Sequence, residues 1–277
     1  MARRWWTAGA RRALAGVLAL ALVTPLPLLA QPPVAARPFG PEELEQIAAP
    51  IALYPDPLLA QVLMAATYPL EVVMAARFVQ ANPTLKGDAL DQALTGQNWD
   101  DSVKSLVTFP QILNMMNENL AWTQKLGDAS LGQQQELMEA IQRLRARAQA
   151  QGTLVTTPQQ VVTVESAPGQ PVIDIEPADP GVVYVPMYDP LVVYGPWPYP
   201  GYPPYYYYPP GWIVGGFFTF GIAIIVGTAL WGHCDWHRHR IDLNVSRYRS
   251  FTRVVNVERN RSELTHGRLV PGGERLT

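Results

Sequence analysis

The sequence has 277 residues, a formal net charge of -2 and a single cysteine. Its length allows about two domains, and the single cysteine excludes an intrachain disulfide, so the fold must be stabilised by packing. Charge is unevenly distributed: region 41–150 is acidic, no Lys or Arg lies between Arg147 and Arg238, and the C-terminal region is basic.

The N-terminus has the pattern of an export signal. A positive region precedes the apolar run ALAGVLALALV, and Ala30 and Ala36 are candidate cleavage positions. We therefore predict a signal peptide over 1–30 and a leader over 31–40, which would carry the chain out of the cytoplasm. An uncleaved membrane anchor is the alternative. The positive residues are Arg3, Arg4, Arg11 and Arg12.

Region 41–151 is predicted to be helical. Apolar residues recur at helical spacing, beginning with Leu44, Ile47 and Ile51, which should face a core. Prolines interrupt this pattern repeatedly, because proline lacks a backbone donor and restricts the residue before it. We predict six or seven short helices in a compact bundle. The predicted cap residues are Asp56, Asp100 or Asp101, Ser130 and Gly127.

Region 152–195 changes to a period of two. The runs LVTT, QQVVTVES, PVIDIE and GVVYVP are rich in Val and Ile and bounded by Pro and Gly, which is typical of strands. Ile173 and Ile175 alternate with Asp174 and Glu176. The predicted fold class is therefore α+β, a multi-helix domain followed by a small antiparallel sheet that packs on it.

Region 196–211 is almost entirely Pro, Tyr, Gly and Trp. Such a sequence favours polyproline II and turns, so it is predicted to be a stiff low-complexity spacer. If its rings are exposed, they could stack on glycans or lie at lipid headgroups. The candidate binding residues are Tyr205, Tyr206, Tyr207 and Tyr208.

Several blocks between about Glu43 and Trp197 resemble an uncharacterised bacterial family, domain of unknown function 3300. They include ALYPDPLLAQVLMAATYPLEVV, QQQELMEAIQRLRA and IDIEPADPGVVYVPMYDPLVVYGPWPY, and the later ALWGHCDW is similar too. The resemblance implies an exported envelope protein of a Gram-negative bacterium, located in the periplasm or cell envelope. It implies no activity, cofactor or catalytic residue.

The stretch WIVGGFFTFGIAIIVGTALW, 212–231, is uncharged and has a Trp at each end. Twenty helical residues span about 30 Å, the thickness of a hydrocarbon core. Small residues recur every four positions, as in packed membrane helices. Its glycines favour instead a buried hairpin or helix pair on the sheet. A transmembrane helix, a buried segment and an outer-membrane or oligomeric assembly are the three alternatives.

The run HCDWHRH brings together His233, Cys234, His237 and His239, which are residue types that bind zinc or copper. His233 and His237 would lie one turn apart on a helix and could share a metal. Adjacent Arg residues disfavour a bound cation, however, so a solvated segment is the alternative. No cofactor is predicted.

Region 232–277 is predicted to be a disordered, Arg-rich tail with anionic partners. A strand through Ile241, Leu243 and Val245 is the alternative. Lipid headgroups, glycans or an envelope protein are the expected partners, and nucleic acid is not, because exported proteins seldom meet it. The candidate binding residues are Arg247, Arg249 and Arg253.

We expect a non-enzymatic structural or interaction module at the membrane or cell wall. The alternative is an envelope glycan hydrolase or glycan-binding protein. Glycan hydrolysis needs paired carboxylates, and the candidates are Asp56, Asp179 and Asp189, each of which precedes a proline. Turn and capping roles are ordinary at such positions.

Overall fold

The computed structural model describes residues 38–166, 171–207 and 218–252. The predicted signal peptide, most of the leader, Tyr208 and Arg253 lie outside the described residues. The described residues belong to one compact unit.

Eight helices lie between residues 41 and 150 of the described chain, so the prediction of a helical region is confirmed with one or two more helices than expected. They are α1 (Pro41–Ala48), α2 (Asp56–Ala66), α3 (Pro69–Ala81), α4 (Asp88–Thr95), α5 (Asp101–Leu106), α6 (Pro110–Glu118), α7 (Leu120–Gly132) and α8 (Gln134–Ala150). A short helix, α9 (Pro190–Val193), follows later.

The prolines set the start of several helices. Prolines occupy the first turn of α1, α2, α3, α6 and α9, where the missing N–H has no helical partner to lose. Asp100 caps α5 by accepting from the Ser102 N–H at 2.9 Å, as the sequence predicts. Asp56 makes no such cap. Ser130 and Gly127 are not terminal either, because both lie inside α7.

Six strands form three antiparallel pairs in the described residues. The strands are β1 (Gln160–Glu165), β2 (Val172–Pro177), β3 (Val182–Met187), β4 (Thr219–Ile225), β5 (Gly232–Asp235) and β6 (Arg240–Leu243). They pair as β1 with β2, β3 with β4 and β5 with β6. Three predicted runs are confirmed as β1, β2 and β3, whereas LVTT is not a strand.

One hydrophobic core joins the helices to the strands. Leu44, Ile47 and Ile51 are buried as predicted, and so are Ile173 and Ile175 on the inner face of β2. The same cluster includes Cys234 and Trp236, which come from the β5–β6 hairpin. The α+β class predicted from the sequence is therefore confirmed.

The apolar stretch 212–231 is not a helix in its described part. Residues 219–225 form β4, and Leu230 and Trp231 are buried. Pairing with β3 supplies hydrogen-bond partners for the backbone along one edge of this segment. Local composition alone does not reveal this long-range pairing. Among the described residues, no single helix is both long and apolar enough to cross a membrane. The consecutive helices α2 and α3 pass only as a pair, and they are bent by 112°.

The first part of the predicted disordered tail is ordered. Residues 232–243 form the β5–β6 hairpin, and residues 245–252 are helical. The alternative strand through Ile241 is therefore right for β6 but wrong at Val245, which lies in the helical stretch. Asn244 begins that stretch, since its side chain accepts from the Arg247 N–H at 3.1 Å.

Candidate functional site

Asp56 lies in a fully buried ion pair. Its Oδ1 atom is 2.6 Å from Nη2 of Arg145, and both side chains are inaccessible to solvent. Trp236 donates its indole N–H to Oδ2 of Asp56 at 2.7 Å, and its ring lies 4.6 Å from the guanidinium carbon. Arg145 also donates to three backbone carbonyls, those of Ala52, Tyr54 and Ile173.

This network connects distant parts of the chain. Arg145 belongs to α8, Asp56 begins α2, and Trp236 follows β5. Burial raises the pKa of the Asp56 carboxyl, whereas the Arg145 guanidinium and the Trp236 N–H act in the opposite direction. No solvent or substrate can reach the carboxylate, so Asp56 has a structural role in the described fold.

The other two candidate acids cap turns. Asp179 accepts from the Gly181 N–H at 2.8 Å, and Asp189 accepts from the Leu191 N–H at 2.9 Å at the start of α9. Each oxygen therefore stabilises local backbone. The structure does not bring Asp56 into a shared cleft with either residue.

The four candidate metal ligands do not converge. They lie on a hairpin rather than a helix, so His233 is exposed while its neighbour Cys234 is buried on the opposite face. Burial raises the pKa of the Cys234 thiol well above its ordinary value. His237 lies 3.2 Å from Glu165, and His239 lies 3.9 Å from Glu139. Within the described chain, no three His, Cys, Asp or Glu side chains are arranged to hold a metal ion.

The Pro/Tyr region packs on the bundle. Gln46 donates to the Pro203 carbonyl at 2.5 Å, and the Arg147 guanidinium lies over the rings of Trp197 and Tyr199. Arg147 in turn pairs with Glu45, which is buried in α1. In its described part, this region is thus held against the helices.

The candidate tyrosines differ in exposure. Tyr205 and Tyr207 are half-buried against the core, and Tyr206 is 58% exposed. Together with Pro50 and Met115 they line a shallow cleft. The described tyrosines therefore do not present three equivalent ring faces to a glycan.

The candidate arginines also differ. Arg247 is half-buried and donates to the Leu230 carbonyl at 3.3 Å, so it helps to hold the helical stretch on the fold. Arg249 is exposed. The two described arginines are thus not an equivalent pair of anion ligands.

A large apolar groove lies along β4. We call it the β4 groove: it has a volume of about 740 Å³, and its walls come from β4, the end of α3, the loop into α4, α4 itself and the α5–α6 connection. Phe78, Leu90 and Val107 contribute apolar surface. Lys86 is the charged residue among its described lining residues. A groove of this size and character is typical of a binding site.

The exposed side chains of β4 border this groove. Ile222 is 79% exposed and Ile225 is 80% exposed. The register shifts in the middle of the β3–β4 ladder, where Gly221 and Ile222 together face Val185. This bulge interrupts the pairing and is of a kind that redirects side chains near binding sites.

A second, more open groove has a volume of about 400 Å³ and a mixed lining. Tyr68 is 41% exposed there, and Asp100, Asp101 and Tyr248 lie beside it. The Tyr248 hydroxyl donates to Oδ2 of Asp101 at 3.0 Å. We call this the aromatic groove, since tyrosine rings and carboxylates share one surface.

Sequence reasoning missed both grooves and the central role of Arg145. The basic residues of α8 match the charge pattern expected near a helix C-terminus. No feature of the neighbouring sequence indicates that Arg145 is buried. Ile222 and Ile225 lie in the stretch whose composition resembles a membrane span. An uncharged, β-branched run such as GIAII is also typical of a strand, and this signal could have identified β4.

The fold and its grooves define a class of protein: an α+β module with a continuous core and open apolar and aromatic grooves. The family model described as "Protein of unknown function (DUF3300)" matches residues 40–268. The chain therefore belongs to the DUF3300 family, as its sequence blocks predict.

A relative supports this assignment. The uncharacterized protein YacH of Escherichia coli (strain K12) is 42% identical, in an alignment that covers 74% of this chain and 39% of YacH. The chain thus spans about two fifths of the length of that relative. No solved structure matches the chain.

Proposed function

We propose that this protein is an exported interaction module of the cell envelope, and that it binds an envelope protein through the β4 groove. The role is non-enzymatic: the module holds a partner and does not transform it. The observation that carries the proposal is the apolar β4 groove with Ile222 and Ile225 exposed at its edge.

Export is supported by the sequence of the N-terminus. Paired arginines precede an apolar run of the length found in signal peptides. An exported chain would meet its partner in the periplasm or at a membrane surface. A fusion of residues 1–40 to a reporter that is active only outside the cytoplasm tests this part, and an inactive, stable fusion would contradict it.

The energetic argument for binding rests on exposed apolar area. Large apolar side chains on a strand edge leave surface in contact with water, and covering it releases about 25 cal/mol per Å². Contiguous apolar patches on a folded surface commonly mark interaction sites. A partner that covers Ile222 and Ile225 would therefore gain free energy without any change in the core.

Site-specific crosslinking in cells tests the binding. A photoreactive amino acid replaces Ile222 in the full chain, and a matched control carries it at Leu70, which is 74% exposed on α3 and does not line the groove. We expect a discrete adduct in the envelope fraction from position 222 alone. No adduct, or the same adducts from both positions, would contradict the proposal.

The aromatic groove favours a second candidate function, glycan binding. Sugars pack their apolar faces on aromatic rings while their hydroxyls bond to carboxylates. Cosedimentation with purified peptidoglycan tests this: Tyr68→Ala should reduce binding several-fold, and Tyr202→Ala, at a tyrosine of similar exposure outside the groove, should not. Equal binding by both variants would remove this candidate.

A further inference from the structure

The β4 strand has one paired and one open edge in the described structure. Its ladder is with β3, and no other described element makes a main-chain hydrogen bond to residues 219–225. An open edge presents a row of N–H and C=O groups that can pair with another extended chain. Charged side chains on the strand are one way in which native folds protect such an edge, and β4, which reads TFGIAII, has none.

The β4 groove runs along this open edge. Four consecutive residues, 222–225, line it. Successive side chains of a strand point to opposite faces of the sheet, so a groove on one face would be lined by alternate residues only. Contact with four in a row places the groove at the side of the strand, where its backbone groups are also accessible.

The charge in the groove restricts the occupant. Lys86 is exposed and makes no ion pair with any described residue. The rest of the described lining is apolar or neutral, with Phe78 and Leu90 opposite β4. An apolar occupant with a carboxylate would match both features, whereas a basic one would be repelled.

Resting on the proposed function, we infer that the occupant is an extended segment of the partner protein that adds to β4 as a third strand. The segment is apolar and carries a carboxylate that pairs with Lys86. Seven residues in extended conformation cover about 24 Å, the length of β4. Main-chain hydrogen bonds supply part of the affinity, and the apolar walls and Lys86 supply the selectivity.

A second copy of this chain fits less well. Self-pairing of β4 would bring together two uncharged strands and leave Lys86 without a carboxylate from the added strand. The charge pattern therefore favours a different partner. Self-association and lipid binding remain distinguishable outcomes of the experiment.

The probe is a fluorescein-labelled seven-residue peptide of alternating threonine and valine that ends in glutamate. Its binding to the full chain is followed by fluorescence anisotropy. Two further peptides are N-methylated, one at the valine nitrogens and one at the threonine nitrogens. Alternate residues of a strand direct their N–H groups to opposite edges, so strand addition predicts that only one of these two peptides loses binding.

Matched variants locate the site. Ile222→Lys and Lys86→Glu should each weaken binding of the parent peptide by about tenfold, which corresponds to about 1.4 kcal/mol. Leu70→Lys, at an equally exposed residue outside the groove, should leave it unchanged. Replacing the terminal glutamate by an amidated glutamine should remove most of the sensitivity to Lys86→Glu.

Two results would overturn the inference: equal binding by both methylated peptides, or equal weakening by Ile222→Lys and Leu70→Lys. If the mass of the protein in solution increases with its concentration, and Ile222→Lys abolishes this increase, then the open edge of β4 binds a second copy of the chain. Cosedimentation with phosphatidylglycerol vesicles that Ile222→Lys abolishes would assign it to a lipid surface. If crosslinks form at position 222 without specific peptide binding, strand addition fails and the proposed function survives. If neither crosslinks at position 222 nor specific peptide binding is observed, strand addition and the proposed function both fail.

Discussion

At the scale of single residues, the buried pair of Asp56 and Arg145 is the main polar feature of the fold. Arg145 contacts Asp56 and donates to three backbone carbonyls, so the buried charge has both a counter-ion and hydrogen-bond partners. Such pairs contribute little net stability when complete, but removing one partner leaves an uncompensated charge in the core.

We predict that Asp56→Asn lowers the free energy of unfolding by about 3–5 kcal/mol, because the Arg145 guanidinium would lose its buried counter-ion. Urea denaturation followed by tryptophan fluorescence measures this. Asp179→Asn is the control: that residue is exposed, and its loss should cost under about 1 kcal/mol. A folded, fully stable Asp56→Asn protein would show that the pair is not what holds these segments together.

A carboxyl near this pair should make stability depend on pH. Burial and the neighbouring Asp56 and Asp174 raise the pKa of Glu176 to about 7 from an ordinary value of 4.5, although Arg145 and Arg247 oppose the shift. The folded state therefore binds more protons than the unfolded state between these values, and its stability should fall as pH rises from about 4.5 to 7.

Glu176→Gln tests this expectation, because it removes the titrating group while keeping the shape of the side chain. Over that interval, the unfolding free energy of the parent should fall relative to that of Glu176→Gln. The change should be modest, since Glu176 is exposed and solvent screens its charge. An identical slope in parent and variant, or a parent whose stability rises relative to that of Glu176→Gln over the interval, would contradict the assignment.

At the scale of elements, α2 and α7 pack closely because Gly127 has no side chain. A Cβ at this position would lie 2.3 Å from the Ala66 carbonyl oxygen and 2.8 Å from its carbon. These are backbone atoms at the end of α2, so they cannot move aside without shifting the helix. Gly127, which the sequence predicts to be a helix cap, instead allows α2 and α7 to pack closely.

Gly127→Ala should therefore destabilise the protein by about 1–3 kcal/mol through overpacking, even though alanine is the better helix former. Gly132→Ala in the same helix is the matched control, because a Cβ there meets nothing within 4 Å. It should be neutral or stabilise by up to about 1 kcal/mol. Thermal unfolding of both variants measures the difference, and equal melting temperatures would refute the close-packing argument.

At the scale of the whole molecule, the later strands complete the core of the helical region. Leu230, Cys234 and Trp236 are buried within the same cluster as residues of α1 and α2. Gly232 lies so close to Ala60 that an added Cβ would come within 2.9 Å of the Ala60 Cβ. The β5–β6 hairpin is therefore an integral part of the fold.

A chain truncated after Pro210 should consequently lose cooperative unfolding and its near-ultraviolet circular dichroism, because Trp236 and the neighbouring apolar residues would be absent. A chain ended at Thr252 retains every described contact and is the matched control. Preserved cooperativity in the shorter chain would mean that the helical region folds alone.

The sequence by itself determined the features that depend on neighbouring residues. Proline positions set helix starts, alternation of Ile173 and Ile175 with acidic residues identified β2, and long sequence blocks identified the family. Each signal arises from backbone dihedral limits or side-chain periodicity over a few residues, so it can be read without knowing what lies across the fold.

The tertiary structure alone decided the pairing of Asp56 with Arg145, the close contact at Gly127 and the position of β4 beside an apolar groove. These features join residues far apart in the chain, and the same local pattern fits several environments. An uncharged glycine-containing run can be a membrane helix or an edge strand. Hydrogen bonds to β3 pair the backbone groups along one edge of this run. This long-range pairing makes the run a strand rather than a membrane helix.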